Sequence, residues 1–321
     1  MTASMGKTVA EMFGLPPDWH VSMAPQGTEE WLKARKGCVT GSRAADACDY
    51  TDGLTAQQRA YVVAIKAGQS EAGAMLAAGY KAAPRAEAVM QAIAGTLVET
   101  PSAVALTYAR DTALGRECPE WDRDVFQTSV MKQGQVQEHF ARRAYEIRTG
   151  YMVEAAGFVS TPDHKIGVSI DGLVFDEPKQ RGGIEVKTLL GSNVIFEALI
   201  DGDISAYIHQ CHLNTWAWHL DWIDLCLWAP DLVVEAARLT VIRIHRDQDF
   251  IDDMLLKLVR FERLVEQQAQ LLRDFQAGAG AQQEPTTPPW VGVDFGANAP
   301  TQPAPAATTT AASVELADAD F

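Results

Sequence analysis

The sequence has no long apolar run. None of its hydrophobic stretches approaches the roughly 20 residues that a membrane-spanning helix needs. The opening MTASMGKTVAEMFG lacks the charged start and apolar stretch of a secretory signal. Cysteine is scarce and unpatterned, five in 321 residues with no Cys-x-x-Cys. That argues against a disulfide frame, a zinc site and an iron–sulfur cluster, and suits free thiols in a reducing cytoplasm. Positive charge is also short, 27 Lys and Arg against 42 Asp and Glu for a net −15. Any contact with phosphate must therefore come from a local basic groove rather than from overall charge. Part of the imbalance is separable, because from Asp274 to the end there are six acidic residues and no basic one. With 47% apolar residues, the chain can bury a full core and carry a small second module.

What is present is concentrated between Gly167 and Thr188, GVSIDGLVFDEPKQRGGIEVKT. Val168, Ile170, Leu173, Val174 and Phe175 give the first half β character. Residues 177–183 read as a turn, and Ile184–Thr188 as a second strand. Side chains in a strand alternate faces, so Glu185 and Lys187 share one face while Ile184 and Val186 share the other. Asp171, followed by Gly172, fits a bend from which it faces the same pocket. Two carboxylates suit a hard cation such as Mg²⁺ or Mn²⁺, and an ammonium beside them can orient water or offset charge on a phosphate. A charged hairpin face in solvent is the plainer alternative. The order Asp…Glu-x-Lys resembles the PD-(D/E)xK nuclease signature, with Ile170 standing where the signature's Pro would be.

Other segments surround this one. Thr28 is an N-cap before Glu29, Glu30 and Trp31, with the helix ending near Gly37. The turn Val39-Thr40-Gly41-Ser42 then opens a helix through Ala44–Ala47, whose N-terminus is a candidate anion site. Residues 131–149 read as a helix, with Val136, Phe140, Ala144 and Ile147 as its apolar stripe and Glu138 on another face. Residues 204–220 form another helix, on which Tyr207, Gln210, Asn214 and Trp218 share a face. His209 and His212 lie three apart, but no second pair at metal spacing accompanies them, which argues against zinc. Strands are expected at 223–228 and 239–245, then a long helix from Gln248 to about Phe275.

Five motifs in order resemble the lambda exonuclease/YqaJ family: Arg35-x₆-Ser42, Gly134-x₃-Glu138 followed by Ala141-Arg142, Asp171-Gly172, Glu185-x-Lys187, and Tyr207-x-x-Gln210. The likeness covers residues 26–48 and 130–250. It implies an α/β fold of the restriction-endonuclease-like kind, a mixed central sheet flanked by helices. It also implies Mg²⁺-dependent 5′-to-3′ digestion of duplex DNA from its ends, leaving 3′ single strands for an annealing protein in phage-type recombination. By the same resemblance Glu138, Asp171, Glu185 and the Val186 carbonyl hold two Mg²⁺ ions, with Mn²⁺ as a substitute. Lys187 and Gln210 position the water, and Arg35 and Ser42 hold the terminal 5′-phosphate. A homotrimer and action in the cytoplasm of a phage-infected host are further implications.

The resemblance leaves an organisation of 1–53 and 101–277 as nuclease, 54–100 as a small all-α insert, and 278–321 as a disordered acidic tail. The insert resembles the helix-turn-helix of phage terminase small subunits through Leu54-Thr55, Gln58 and Ala78-Gly79-Tyr80, which makes Arg59, Lys66, Lys81 and Arg85 candidate phosphate contacts. A purely structural insert is the alternative. The tail's acidic end and terminal Phe321 resemble the docking tip of bacterial single-stranded-DNA-binding proteins, against the alternative of a solubilising tail. Two rival functions remain, a structure- or site-specific endonuclease on the same core and a non-catalytic packaging or regulatory DNA-binding protein.

Overall fold

Strand β10, Trp222–Trp228, has every residue buried, so its alternating side chains must satisfy two hydrophobic layers at once. Ile223, Leu225 and Leu227 join the larger core, while Trp222, Cys226 and Trp228 join a second one. This strand lies inside a five-stranded sheet. The protein is described by a computed structural model over residues 15–118, 129–176 and 180–281, and among these the sheet order is β11-β10-β9-β8-β5. Here β5 is Val153–Glu154, β8 Gly172–Asp176, β9 Gln180–Thr188 and β11 Leu239–His245. β9 and β10 run parallel and the other pairs antiparallel, which makes the sheet mixed.

Helix α7 (Ser129–Thr149) covers one face of this sheet, packing Ala141 and Tyr145 against Val174, Ile184 and Trp222. Helices α9 (Ser205–Ala217) and α10 (Gln248–Ala281) contribute Leu213, Ile251, Met254 and Phe261 to the core on the other face. The chain divides into units after Phe275, and residues 276–281 continue α10.

A second sheet, β1-β6-β7-β2, is built from His20–Ser22, Phe158–Ser160, Ile166–Ser169 and Val39–Thr40. The stretch expected to be one continuous first strand is therefore divided. Val168 belongs to β7 in this sheet, Leu173 to β8 in the other, and the chain changes sheets at Ile170–Asp171. The expected turn at 177–183 is shorter too. Gln180–Gly183 belong to β9, and 177–179 lie outside the described residues. Gly182 and Gly183 are strand glycines, not turn glycines. A Cβ on Gly182 would meet the Trp222 ring at 2.1 Å and one on Gly183 would meet Leu220 at 2.8 Å.

Between the sheets' N-terminal parts run α1 (Glu29–Arg35), capped by Thr28 as expected, a 3₁₀ turn at Gly41–Arg43, and α2 (Ala44–Ala47). At four residues α2 is too short for an N-terminal dipole site, which removes that part of the anion-site argument.

Residues 54–100 leave and re-enter the body at one place, because Tyr50–Thr51 (β3) pairs with Thr100–Pro101 (β4). Helices α3 (Ala56–Lys66), α4 (Glu71–Ala78) and α5 (Glu87–Ala94) enclose a separate core of Tyr61, Val62, Ala74 and Val89. The third helix escapes sequence reading because its N-cap, Ala86, makes no side-chain cap bond. Helix α6 (Ala103–Glu117) then returns to the main core, where Tyr108 lies 5.1 Å from Phe261.

Candidate active site

The site forms where the chain switches sheets. β8 pairs with β9 only as far as Gly172 opposite Ile184, and beyond that no strand among the described residues lies beside this edge of β9. Asp171 occupies that gap. Its backbone N–H donates to the Ile184 carbonyl at 3.2 Å, and its Oδ2 accepts the Val186 N–H at 2.6 Å. Backbone groups two residues apart in a strand face the same edge, so the Val186 carbonyl turns to the side that Asp171 occupies.

Glu185 and Lys187 share a face of β9, as their spacing predicts. Lys187 Nζ lies 2.9 Å from Glu185 Oε1. Helix α9 supplies the amides above them. Gln210 Nε2 donates to Glu185 Oε1 at 2.6 Å and its Oε1 accepts from Lys187 Nζ at 2.7 Å, while Asn214 Nδ2 donates to Glu185 Oε2 at 2.9 Å. Glu185 is only 3% exposed, so these donors replace the water its carboxylate has lost. Glu138 approaches from α7, paired with Arg142 at 2.8 Å, beside an open cleft of about 300 Å³ lined by Gln26, Gln135, Glu138, His139 and Arg142.

The three carboxylates share an electrostatic problem. Burial first, and then the Asp171 charge, push Glu138 up to about 7 against the partial relief given by Arg142. Burial likewise lifts Glu185 to about 8, with Lys187 opposing and Asp171 adding to the rise. Asp171 is raised by burial against the Val186 N–H and the Lys187 charge. Burial pulls Lys187 down, but Glu185 and Asp171 outweigh it and hold the ammonium above its ordinary value. Clustered carboxylates that resist ionisation are what a divalent cation relieves.

The Arg35–Ser42 segment reaches the same helix. A Cβ on Gly41 would come 3.0 Å from Asn214 Oδ1 and 3.6 Å from Gln210 Cγ, so the turn carrying exposed Ser42 packs directly on the face that holds Glu185. Arg35 stacks its guanidinium 4.4 Å over the Trp31 ring at the end of α1. Arg43, directly after Ser42, lies 4.0 Å over Tyr108 and pairs with Asp46.

Residues 30–217, well over half of the chain, match the YqaJ-like viral recombinase domain. The chain belongs to that family. An alkaline exonuclease from Laribacter hongkongensis shares the fold of this YqaJ-like chain, with a TM-score of 0.53 and 22% identity over 78% of this chain and 100% of that one. The same exonuclease in complex with dAMP matches equally. A phage-related exonuclease from Haemophilus somnus 129PT aligns over 60% of this chain and 90% of its own, at 17% identity and a TM-score of 0.43. No curated protein matches the sequence.

Within the YqaJ-like domain, the residues singled out from sequence fall into two groups. Asp171, Glu185, Val186, Lys187 and Gln210 are joined by direct hydrogen bonds, and Glu138 is joined to them through the Asp171 charge. The turn that carries Ser42 packs through Gly41 on the helix face that holds Glu185, and Arg35 stacks on Trp31 at the end of α1. Asn214 was placed on the Gln210 face by its spacing, yet its bond to Glu185 was not foreseen. The available signal was the i, i+4 relation to Gln210.

Among the described residues no three His, Cys, Asp or Glu side chains surround a common point closely enough to hold an ion. The donor set nevertheless fits a hard divalent cation, with three carboxylates raised chiefly by burial and the Val186 carbonyl beside Asp171. Glu138 would have to turn from Arg142, and Glu185 would have to share its oxygens. His209 and His212 face away from this chemistry and pack on Phe250, with ring centroids 5.1 and 4.6 Å from it.

The insert's resemblance to a helix-turn-helix rests on residues with structural tasks. Thr55 and Gln58 form a capping box, Gly79 caps α4 in the left-handed region, and Tyr80 meets Tyr61 edge-on. Arg59 is held by Asp52 through two bonds of 2.9 and 2.7 Å and Arg85 pairs with Glu71 at 3.8 Å, which leaves Lys66 and Lys81 as the better of the four phosphate candidates. The tail tip with Phe321 lies outside the described residues.

Proposed function

We propose that this chain is a divalent-metal-dependent deoxyribonuclease that digests duplex DNA from its ends, 5′ to 3′, for phage-type recombination. The observation that carries this reading is the convergence of Asp171, Glu185 and Lys187 at the sheet switch, under Gln210 and opposite Glu138. Mg²⁺ or Mn²⁺ ions held by Glu138, Asp171, Glu185 and the Val186 carbonyl would supply a water acidified toward neutral pKa and positive charge for the departing 3′ oxygen.

The protein's own groups do the remainder. Lys187, kept protonated by Glu185 and Asp171, presents N–H donors to the attacking water and to the scissile phosphate. Gln210 bonds to both Lys187 and Glu185, which fixes the direction in which the ammonium points. Arg142 balances Glu138 before substrate arrives. Ser42 and Arg35 receive the terminal 5′-phosphate and so give the enzyme an end to recognise.

The partners that follow are a duplex end, a single-strand annealing protein that takes the 3′ strand, and further copies of this chain in a trimer. The test is digestion with Mg²⁺ of linear and covalently closed circular duplexes of one sequence. Loss of the linear form alone is expected. Cutting of the closed circle would make the protein an endonuclease, and binding without cutting would make it a non-catalytic DNA-binding protein.

A further inference from the structure

Glu185 is held unevenly. Its Oε1 accepts from both Gln210 and Lys187, at 2.6 and 2.9 Å, whereas Oε2 accepts from Asn214 at 2.9 Å. Donors on both oxygens hold the carboxylate plane more firmly against rotation about the Cγ–Cδ bond than donors on Oε1 alone, and Asn214 is the donor that holds Oε2. Asn214 is fully buried, with 0% exposure, so no water can replace its amide.

The far end of that amide is more unusual. Asn214 Oδ1 is buried without a hydrogen-bond partner, a costly state for a carbonyl oxygen. It abuts Gly41, where a Cβ would lie 3.0 Å from it. Gly41 does not occupy the left-handed backbone region, so its glycine is required for space and not for conformation. The amide is therefore wedged between the 3₁₀ turn at Gly41–Arg43 and Glu185, oriented by shape at one end and by a hydrogen bond at the other.

We propose that Asn214 is a positioning residue for the metal-dependent reaction: it sets the plane of the Glu185 carboxylate, and the absence of a side chain at Gly41 sets Asn214. This inference rests on the proposed function for its chemistry, but its first readout is ion binding, which does not require cleavage. Outer donors that orient a liganding group typically change metal affinity or activity by about 10–100-fold when removed.

The experiment compares the wild type, Asn214→Leu and Gly41→Ala in the full chain. Asn214→Leu keeps the heavy-atom count and the branched shape and removes both polar ends. Gly41→Ala leaves Asn214 in place and displaces it. Mn²⁺ affinity is measured by calorimetry without DNA, and kcat and KM are measured on a linear duplex with thermal unfolding as the control. For Asn214→Leu we expect Mn²⁺ affinity and kcat to fall about 10–100-fold with KM for DNA unchanged. Gly41→Ala should shift both in the same direction by a smaller factor.

A folded Asn214→Leu protein that binds Mn²⁺ as the wild type does overturns the proposal. If that variant does not fold, wild-type affinity in Gly41→Ala overturns it instead. A wild type that binds Mn²⁺ without cutting DNA contradicts the proposed function and leaves the affinity comparison to decide the role of Asn214. A wild type that binds no Mn²⁺ overturns both.

Discussion

Lys187 has the most constrained environment of any cation in the site, with Glu185 at 2.9 Å and Gln210 at 2.7 Å. Replacing it with Ala removes the donor that the proposed function assigns to the reacting phosphate and leaves Glu185 without its counter-charge. We expect Lys187→Ala to lower kcat by about 10²–10³-fold or more while circular dichroism stays native, since loss of one preorganised donor costs that much. Wild-type kcat in the variant would remove Lys187 from the mechanism.

The raised carboxylates make a second prediction at the same scale. Glu138 and Glu185 titrate near 7 and 8 when folded, above the ordinary 4.5, so between about pH 4.5 and 8 the unfolded chain has released protons that the folded chain retains. The folded state then binds more protons, and these groups' contribution to stability falls as pH rises through that window. Ions that stabilise the charged carboxylates act against this loss, and their binding releases the retained protons. The gain in Tm on adding Mg²⁺ should therefore grow from pH 5.5 to pH 8.5, and a gain that shrinks with pH would contradict the assignment.

Among the elements, β9 and α7 depart most from what the sequence suggests, each for an identifiable reason. In β9, a Gly-Gly pair after a polar run has the composition of a turn, and only the tertiary position of Trp222 and Leu220 shows that glycine is needed inside the strand. Gly182→Ala should accordingly cost at least about 1–3 kcal/mol in denaturant unfolding, the usual range for overpacking a core. In α7, the helical period is clear, but the stripe Val136, Phe140, Ile147 is exposed at 63%, 54% and 75%, and only Ala144 of that stripe packs partly inward. The inward face is Ala141 and Tyr145, whose hydroxyl donates to buried Asp224 at 2.8 Å. A small residue and a polar aromatic make a weak pattern, so periodicity located the helix and misassigned its face. Phe140→Ser should then change stability by less than about 0.5 kcal/mol, as an exposed substitution does. A large loss would put Phe140 against something.

By contrast, Glu185-x-Lys187 was legible because strand alternation forces the pair onto one face whatever surrounds it. Asp171 was legible as a bend but not as a sheet switch, which depends on pairing with segments far away in sequence. Asn214 was visible as a face residue and not as a ligand holder.

For the whole molecule, the main hydrophobic core extends along α10 to Ala269, and Leu272 packs against it. Leu272 is the last described residue packed against that core, so cutting after Ala281 should leave Tm and nuclease activity at the wild-type level and remove five acidic side chains. A truncated protein that unfolds earlier would show that the tail serves the fold. On the proposed function, the net charge of −15 requires the DNA path to be local, with Arg35, Ser42, Arg142 and Lys187 as its proposed contacts.

The central claim is that this carboxylate–lysine cluster hydrolyses DNA from an end. Its most direct test is the time course of nucleotide release from a 5′-phosphorylated linear duplex, with each strand separately labelled, for the wild type and Asp171→Asn in Mg²⁺. The account predicts that the wild type consumes the 5′-terminated strand from each end and leaves 3′ single strands. It predicts that Asp171→Asn, folded with Tm near the wild-type value, releases none. Release by the variant at the wild-type rate, or wild-type digestion that begins at 3′ ends, would contradict it.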